Sequence, residues 1–315
     1  LPDASLAVLA RTVDEAYDLV PGLSRNGAKV ATRCWPGPVF IRTGIDSATG
    51  GTLDALGAAT REHVTRNQLT CSASAEPLIA ELGRLIAAPL IISLPDRPNV
   101  TVSELAAQTG DTACCDLTID LGEARFKDGP TVVNFDGDSW NVEREGVVSK
   151  DAVQRIMSEI IVFVCTGNTC RSPMAEALFR SMLAERAGCS PDELAENGYV
   201  VSSAGLAAGY GSASSPEGVS LLAKRGIDLT THESQPLTGR LLDHADFVYT
   251  MTRNHRNAIV SSRPELEEIV QVLARDGSDV PDPIGGGMDE YQRCLSSIEK
   301  HLKDLLPEIP RPTSH

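Results

Sequence analysis

A cysteine and an arginine that bracket five residues, in Cys165-Thr166-Gly167-Asn168-Thr169-Cys170-Arg171-Ser172-Pro173, are the side chains in this chain with the plainest capacity for chemistry. The spacing lets a thiol point into the centre of a small loop while a guanidinium reaches round to the same centre. A planar guanidinium binds two phosphoryl oxygens at once, which an ammonium cannot do. The run Ile160-Ile161-Val162-Phe163-Val164 before the loop reads as a β-strand, and a helical pattern begins after it at Pro173. Strand, loop and helix start together form an anion site, because loop amides and the unpaired amides of the first helical turn share one focus. The same field favours the thiolate at Cys165. A thiolate facing an oxyanion cradle is a nucleophile aimed at phosphorus.

These elements must sit in a fold that brings the loop to an open edge. In the second half, Tyr199 to Ser202, Ala245 to Met251 and Ile269 to Leu273 read as further strands. Helical patterns separate them: one from Pro173 with Met174, Leu178 and Met182 on one side and Ala175 and Leu183 flanking it, one from Pro216 to Arg225, and one near Arg256. A closing helix carries Tyr291, Leu295, Ile298, Leu302 and Leu305 at helical spacing. Alternating strands and helices predict an α/β domain with a doubly wound, four-stranded parallel sheet and helices on both faces. Ligands in such folds bind beyond the carboxyl ends of the strands, where residues 165–172 would lie.

The segment Val164-Cys-Thr-Gly-Asn-Thr-Cys-Arg-Ser-Pro-Met-Ala-Glu-Ala-Leu-Phe179 resembles the phosphate-binding loop of the low-molecular-weight protein tyrosine phosphatases. The resemblance runs from about 159 to 306 and takes in a second motif, Asp282-Pro283. It implies Cys165 as nucleophile, Arg171 as phosphate clamp and Asp282 as general acid. Thr166, Gly167, Asn168, Thr169, Cys170 and Ser172 would form the loop, with Asn168 and Ser172 holding loop and thiolate in shape. Ser203, in Ser203-Ala204-Gly205 after a strand, resembles the family's serine that hydrogen-bonds the loop from behind. Asp282 lies between Pro281 and Pro283, whose fixed φ angles restrain the segment carrying the acid, and Asp279 is the fallback. The reaction implied needs no metal and no cofactor, and the six His show no ligand spacing.

The substrate question turns on Thr169. Tyrosine phosphatases of this family usually carry an aliphatic residue there. Thr is close in volume and adds a hydroxyl that can orient water or a polar leaving group. Cys-Thr-Gly-Asn-Thr-Cys-Arg-Ser resembles the protein arginine phosphatase branch, whose leaving group is a guanidinium that Asp282 could also pair with. Ile284, where an aromatic is expected after Asp-Pro, alters the slot wall, so phosphoarginine and phosphotyrosine stay close, with phosphoarginine ahead. Cys170 would form a reversible disulfide with Cys165 under oxidation, or else is an inert filler. Arsenate reductases share the loop but need a further paired cysteine, and beyond the loop this half has only Cys189 and Cys294.

Length and composition set the frame. The 315 residues suit two domains, divided here as 1–157 and 158–315. The net charge of −15 is shared: 14 Lys and Arg against 21 Asp and Glu in the first part, 14 against 22 in the second. Neither part has a basic footprint for nucleic acid, and no apolar run reaches membrane-spanning length. Eight Cys without framework spacing read as a reduced, cytoplasmic protein, and Leu1 in place of Met as a missing natural start. The expected partner is a phosphorylated protein substrate.

In residues 1–157, strands are predicted at Ser5–Ala10, Val39–Arg42, Pro89–Ser93, Leu117–Leu121, Thr131–Phe135 and Trp140–Glu143. Helices are predicted from the Thr12/Glu15 capping box to Val20, up to Cys34, at Ser74–Ala87, from the Thr101/Glu104 capping box to Gly110, and from Ser149 to Met157. Residues 44–74 are poorly patterned and read mostly as helix and loop. Trp35-Pro36-Gly37-Pro38, Pro130-Thr131-Val132-Val133 and Arg144-Glu145-Gly146-Val147-Val148-Ser149 resemble the later part of the threonylcarbamoyl-adenylate synthase (YrdC-like) family, which implies a twisted α/β domain. That family's Lys-x-Arg segment has no counterpart here, its Ser-x-Asn motif is at best Ser93-Leu94-Pro95, and Pro130 replaces its Ser. A site short of those groups could not readily neutralise a triphosphate. The expectation is an incomplete or degenerate domain, structural or regulatory. The alternative is a nucleotide- or RNA-binding protein with the phosphatase as accessory, against which the acidic balance argues.

Overall fold

The computed structural model describes residues 5–45, 68–86, 90–94, 119, 122, 125–137 and 139–311. Contacts divide the chain into a unit ending at Met157 and a unit beginning at Ser158.

The first unit holds β1 (Ser5–Ala10), α1 (Val13–Leu19), α2 (Arg25–Cys34), β2 (Val39–Gly44), β3 (Gln68–Ala73), α3 (Pro77–Leu85), β4 (Leu90–Leu94), β5 (Thr131–Asp136), β6 (Ser139–Arg144) and α4 (Lys150–Ile156). Its six strands form one mixed sheet in the order β4-β1-β3-β2-β5-β6. Val8, Ile41, Leu69, Cys71 and Val133 share a core with Ala16 and Leu19 of α1, Val30 of α2 and Val153 of α4. Thr12 caps α1 by accepting from Glu15 N, while the Glu15 carboxylate turns back to Arg11 N at 2.6 Å rather than to Thr12, so only half of the expected capping box forms. The Trp35–Pro36 peptide is cis, and Trp35 Nε1 donates to Val39 O at 2.8 Å.

One expectation for this unit fails. Residues 68–73 are not helix or loop but β3, parallel to β1 and antiparallel to β2. Buried hydroxyls made the strand hard to see. Ser72 donates to Val39 O at 2.8 Å and Thr70 accepts from Arg42 Nε at 2.8 Å, so polar residues stand in a buried strand at little cost. The helix expected at Ser74–Ala87 is the shorter Pro77–Leu85. The elements expected at 101–110 and 117–121 lie outside the described residues, apart from Ile119.

The second unit runs β7 (Glu159–Cys165), α5 (Arg171–Ala187), β8 (Tyr199–Gly205), α6 (Pro216–Ala223), α7 (Gly239–His244), β9 (Phe247–Thr250), α8 (Arg253–Ser262), β10 (Val270–Val272) and α9 (Met288–Leu305). The sheet order is β10-β9-β7-β8 and every pairing is parallel. α5 begins at Arg171, two residues before the expected Pro173, so the arginine and Ser172 belong to the first helical turn. Pro173 is still tolerated, because the third amide of a helix has no partner within it. The helix at Gly239–His244 was not anticipated.

Both faces of the sheet are covered, as alternation along β7 requires. Ile161, Phe163 and Cys165 face a core with α5, α6 and α9 that includes Met174, Leu178, Leu222, Leu295 and Leu302. Val162 and Val164 face a second core with Leu242 of α7 and Ile259 of α8. Phe163 is fully buried, edge-on to Phe179 with ring centres 5.5 Å apart. Phe163→Ala should cost about 3–5 kcal/mol through lost contacts and the cavity left behind. Denaturant unfolding followed by Tyr and Trp fluorescence checks this; a loss below about 1 kcal/mol would show that the core does not depend on that ring.

Candidate active site

β7 lies in the middle of its sheet, with β8 on one side and β9 on the other, so strand order reverses next to it. In parallel sheets a crevice opens at such a point, beyond the strand ends. The residues at issue follow the carboxyl ends of the strands: Cys165 to Ser172 after β7, Gly205 closing β8, Thr252 and His255 after β9, and Asp279 and Asp282 after β10.

Cys165 is buried, and its sulfur has two polar neighbours. Asn168 N donates to Sγ at 3.2 Å, and Ser172 Oγ lies 2.9 Å from Sγ. Ser172 Oγ also accepts from Asn168 Nδ2 at 3.0 Å, which leaves its own proton free to point at the sulfur. Both contacts therefore bring a hydrogen-bond donor to Sγ.

Asn168 organises the loop. Its φ is +54°, a left-handed conformation that Asn reaches more readily than most residues. Its amide nitrogen donates to Ser172 and, at 2.8 Å, to Ser203 Oγ, and its side-chain oxygen accepts from Gln235 N at 2.9 Å. Its carbonyl accepts from His232 Nε2 at 2.9 Å, so that nitrogen carries the proton. Ser203 Oγ in turn donates to Glu176 Oε2 at 2.6 Å. Burial raises the pKa of the Glu176 carboxyl, against the lowering effect of that hydrogen bond. Glu176, His232 and Gln235 were not singled out from the sequence. Glu176, with Ser172 and Arg180 one turn either side of it, carries no local signal, and the other two reach Asn168 through tertiary contacts.

Arg171 is buried, and its NH2 donates to Asp282 Oδ2 at 2.5 Å. Its Nε is buried without a hydrogen-bond partner, an orphan donor that a phosphoryl oxygen would satisfy. Asp279, the fallback acid, instead accepts from Arg253 N at 2.8 Å at the start of α8. Cys170 Sγ lies 3.3 Å from Tyr291 OH, and Thr169 Oγ1 lies 3.7 Å from Cys170 Sγ. Thr166 is exposed, with Oγ1 2.9 Å from His255 Nε2, and Gly167 follows it. A cavity of about 640 Å³ lies behind the loop rather than at its mouth, lined in part by Glu176, Ser203, His232 and Gln235. Among the described residues no group of three His, Cys, Asp or Glu could hold a metal ion.

Gly205 pairs with Cys165 across the sheet and leaves no room for a side chain: an added Cβ would lie 2.6 Å from Thr166 O and 2.9 Å from Asn168 N. Gly205→Ala should push the loop aside by a few tenths of an ångström or more. Phosphatase kcat/KM should fall by about ten- to a hundred-fold, with the circular dichroism spectrum kept. An unchanged rate would mean that the loop tolerates displacement.

Three comparisons with known proteins bear on the second half of the chain. A family model described as low molecular weight phosphotyrosine protein phosphatase matches residues 160–314 and leaves 1–159 unmatched. A protein-arginine-phosphatase of Bacillus subtilis (strain 168) is 38% identical over 155 residues, which are 48% of this chain and 97% of that protein. A probable low molecular weight protein-tyrosine-phosphatase, EpsP, of Ralstonia nicotianae is 31% identical over 154 residues, 49% of this chain and 97% of that protein. The crystal structure of a YwlE mutant from Bacillus subtilis is 39% identical, covering 48% of this chain and 98% of that one, with a TM-score of 0.43. Through its second half, the chain belongs to the low molecular weight phosphotyrosine protein phosphatase family of cysteine-dependent phosphatases.

Proposed function

We propose that this phosphatase removes the phosphoryl group from phosphoarginine in proteins, with Cys165 as nucleophile, Arg171 as clamp and Asp282 as general acid. The observation that carries the assignment is the pair of donors, Asn168 N and Ser172 Oγ, on the Cys165 sulfur. In the first step the Cys165 thiolate attacks phosphorus in line. The phosphorus–nitrogen bond breaks, its electron pair stays with the leaving guanidine, and Asp282 supplies the proton. Arg171 and the loop amides hold the equatorial oxygens as charge shifts. In the second step Asp282 takes a proton from water, which attacks phosphorus; inorganic phosphate forms and the thiolate is regenerated. The hydrogen bond from Arg171 to Asp282 supports this role, since it keeps the carboxyl close to the group that would hold the phosphorus.

The hydroxyl of Thr169 favours phosphoarginine over phosphotyrosine, and a named protein-arginine-phosphatase stands among the relatives at 38% identity. A reversible Cys165–Cys170 disulfide belongs to the same proposal, as does a cytoplasmic setting, consistent with free cysteines among the described residues. No helix among the described residues is long and apolar enough to cross a membrane.

Residues 1–157 are read as a threonylcarbamoyl-adenylate synthase-like module without its ligation chemistry. The resembling segments support one another structurally: Thr131 Oγ1 donates to Val148 O at 2.7 Å and accepts from Gly146 N and Val148 N. Its proposed role is to support or regulate the phosphatase, with no nucleotide or RNA ligand. Calorimetry with ATP and with duplex RNA tests that, and observed binding of either overturns it.

Cys165→Ser should abolish turnover of phosphoarginine and phosphotyrosine peptides alike; parent-like rates would remove the nucleophile assignment. Thr169→Ile should shift the kcat/KM ratio toward phosphotyrosine by about ten-fold, the scale of one altered pocket contact. An unchanged ratio means that Thr169 is not the selector.

A further inference from the structure

The loop's first residue is tied to a histidine that the mechanism above does not use. Thr252 caps α8, accepting from His255 N at 3.2 Å, and the same oxygen lies 2.9 Å from His255 Nδ1. On its other side the ring meets Thr166 Oγ1, 2.9 Å from Nε2. His255 is buried while Thr166 is exposed at the rim.

Proton counting selects one arrangement of this chain. The Thr252 oxygen already accepts from an amide, so its single proton is best spent on Nδ1. Nε2 then carries the ring proton and donates it to Thr166 Oγ1. In the opposite tautomer the Thr252 hydroxyl proton has no partner among the described contacts. Burial, and then the Arg171 charge, lower the pKa of His255, against Asp282 and Asp279, which keeps the ring neutral as this arrangement requires. Held by His255, the Thr166 hydroxyl keeps one proton and one lone pair directed away from the ring. Thr166 directly follows Cys165 and is exposed, so this hydroxyl stands at the rim across which a leaving group would depart.

We infer that Thr166 is a specificity-determining contact whose lone pair accepts an N–H of the substrate guanidinium, and that His255 is the positioning residue that aims it. A phenolic leaving group has no N–H to offer, so the contact discriminates. The inference rests on the phosphoarginine reading and deepens it: the polar slot would have two hydroxyls, at Thr166 and Thr169, and only the first is oriented by a buried ring.

The test measures kcat/KM of the full chain on a phosphoarginine peptide and a phosphotyrosine peptide. Wild-type rates come first: no turnover of phosphoarginine refutes the substrate reading and this inference with it. Given that turnover, T166V should lower the phosphoarginine-to-phosphotyrosine ratio by about five-fold, what one hydrogen bond supplies, mainly through KM. H255N, whose amide can face Thr252 but does not reach Thr166, should lower the ratio similarly. H255Q, whose amide nitrogen reaches the Nε2 position, should keep the ratio to within about two-fold. The double variant T166V/H255N should fall no further than T166V, because the two residues act as one unit. An unmoved ratio in T166V overturns the contact. Equal shifts in H255N and H255Q, or additive loss in the double variant, overturn the positioning role. Thr166 is exposed, so T166V reads the contact even where a His255 variant folds poorly.

Discussion

One asparagine held in a left-handed conformation sets the shape of this site. Asn168 is buried at φ +54° and has every polar atom engaged: its amides on the Cys165 sulfur, Ser172 and Ser203, its oxygens on Gln235 N and His232. A left-handed non-glycine residue costs of order 1 kcal/mol, and the surrounding hydrogen bonds more than offset it. The turn so fixed brings a backbone amide to the thiol and leaves Ser172 with a proton for the same sulfur. The position of the thiol, the loop curvature and the helix start all meet at one saturated side chain.

That turn needs a rigid frame, which the sheet supplies. β7 pairs with β8 over seven residues and with β9 over four, and both faces of its alternating side chains are packed. The loop therefore leaves from the stiffest strand of the unit, and the proposed acid and His255 arrive from strands on its other side. Gly205 lets the β8 end approach the loop backbone, and Leu206 N and Ala207 N then donate to Cys165 O and Thr166 O. Precision at the thiol is inherited from sheet register more than from the loop itself.

Much of this was legible in the sequence where local pattern and local chemistry coincide. The β-branched run at 160–164, the polar loop and the long helix after it announce strand, anion loop and helix start without any tertiary information. Legibility ends where contacts join distant residues. Glu176 reads as an ordinary helix carboxylate until Ser203 is brought against it, and His232 and Gln235 lie in an irregular stretch with no periodicity. α7, at six residues, is too short to show a helical stripe. In the first unit, β3 escaped notice because Thr70 and Ser72 are buried with their hydroxyls bonded, which defeats any rule that equates burial with apolar side chains. Two helix caps did better, since a cap is a local interaction: Thr12 and Ser149 both cap the helices expected of them, although only half of the Thr12/Glu15 box forms.

In the proposed mechanism phosphorus passes through a covalent bond to the sulfur of Cys165. Its most direct test is a rapid acid quench of the full chain with excess phosphoarginine peptide, followed by peptide mass spectrometry. A transient single phosphoryl adduct on the peptide containing Cys165, formed and lost within one turnover, is the expected result. Steady release of phosphate with no adduct on that sulfur at any time would contradict it.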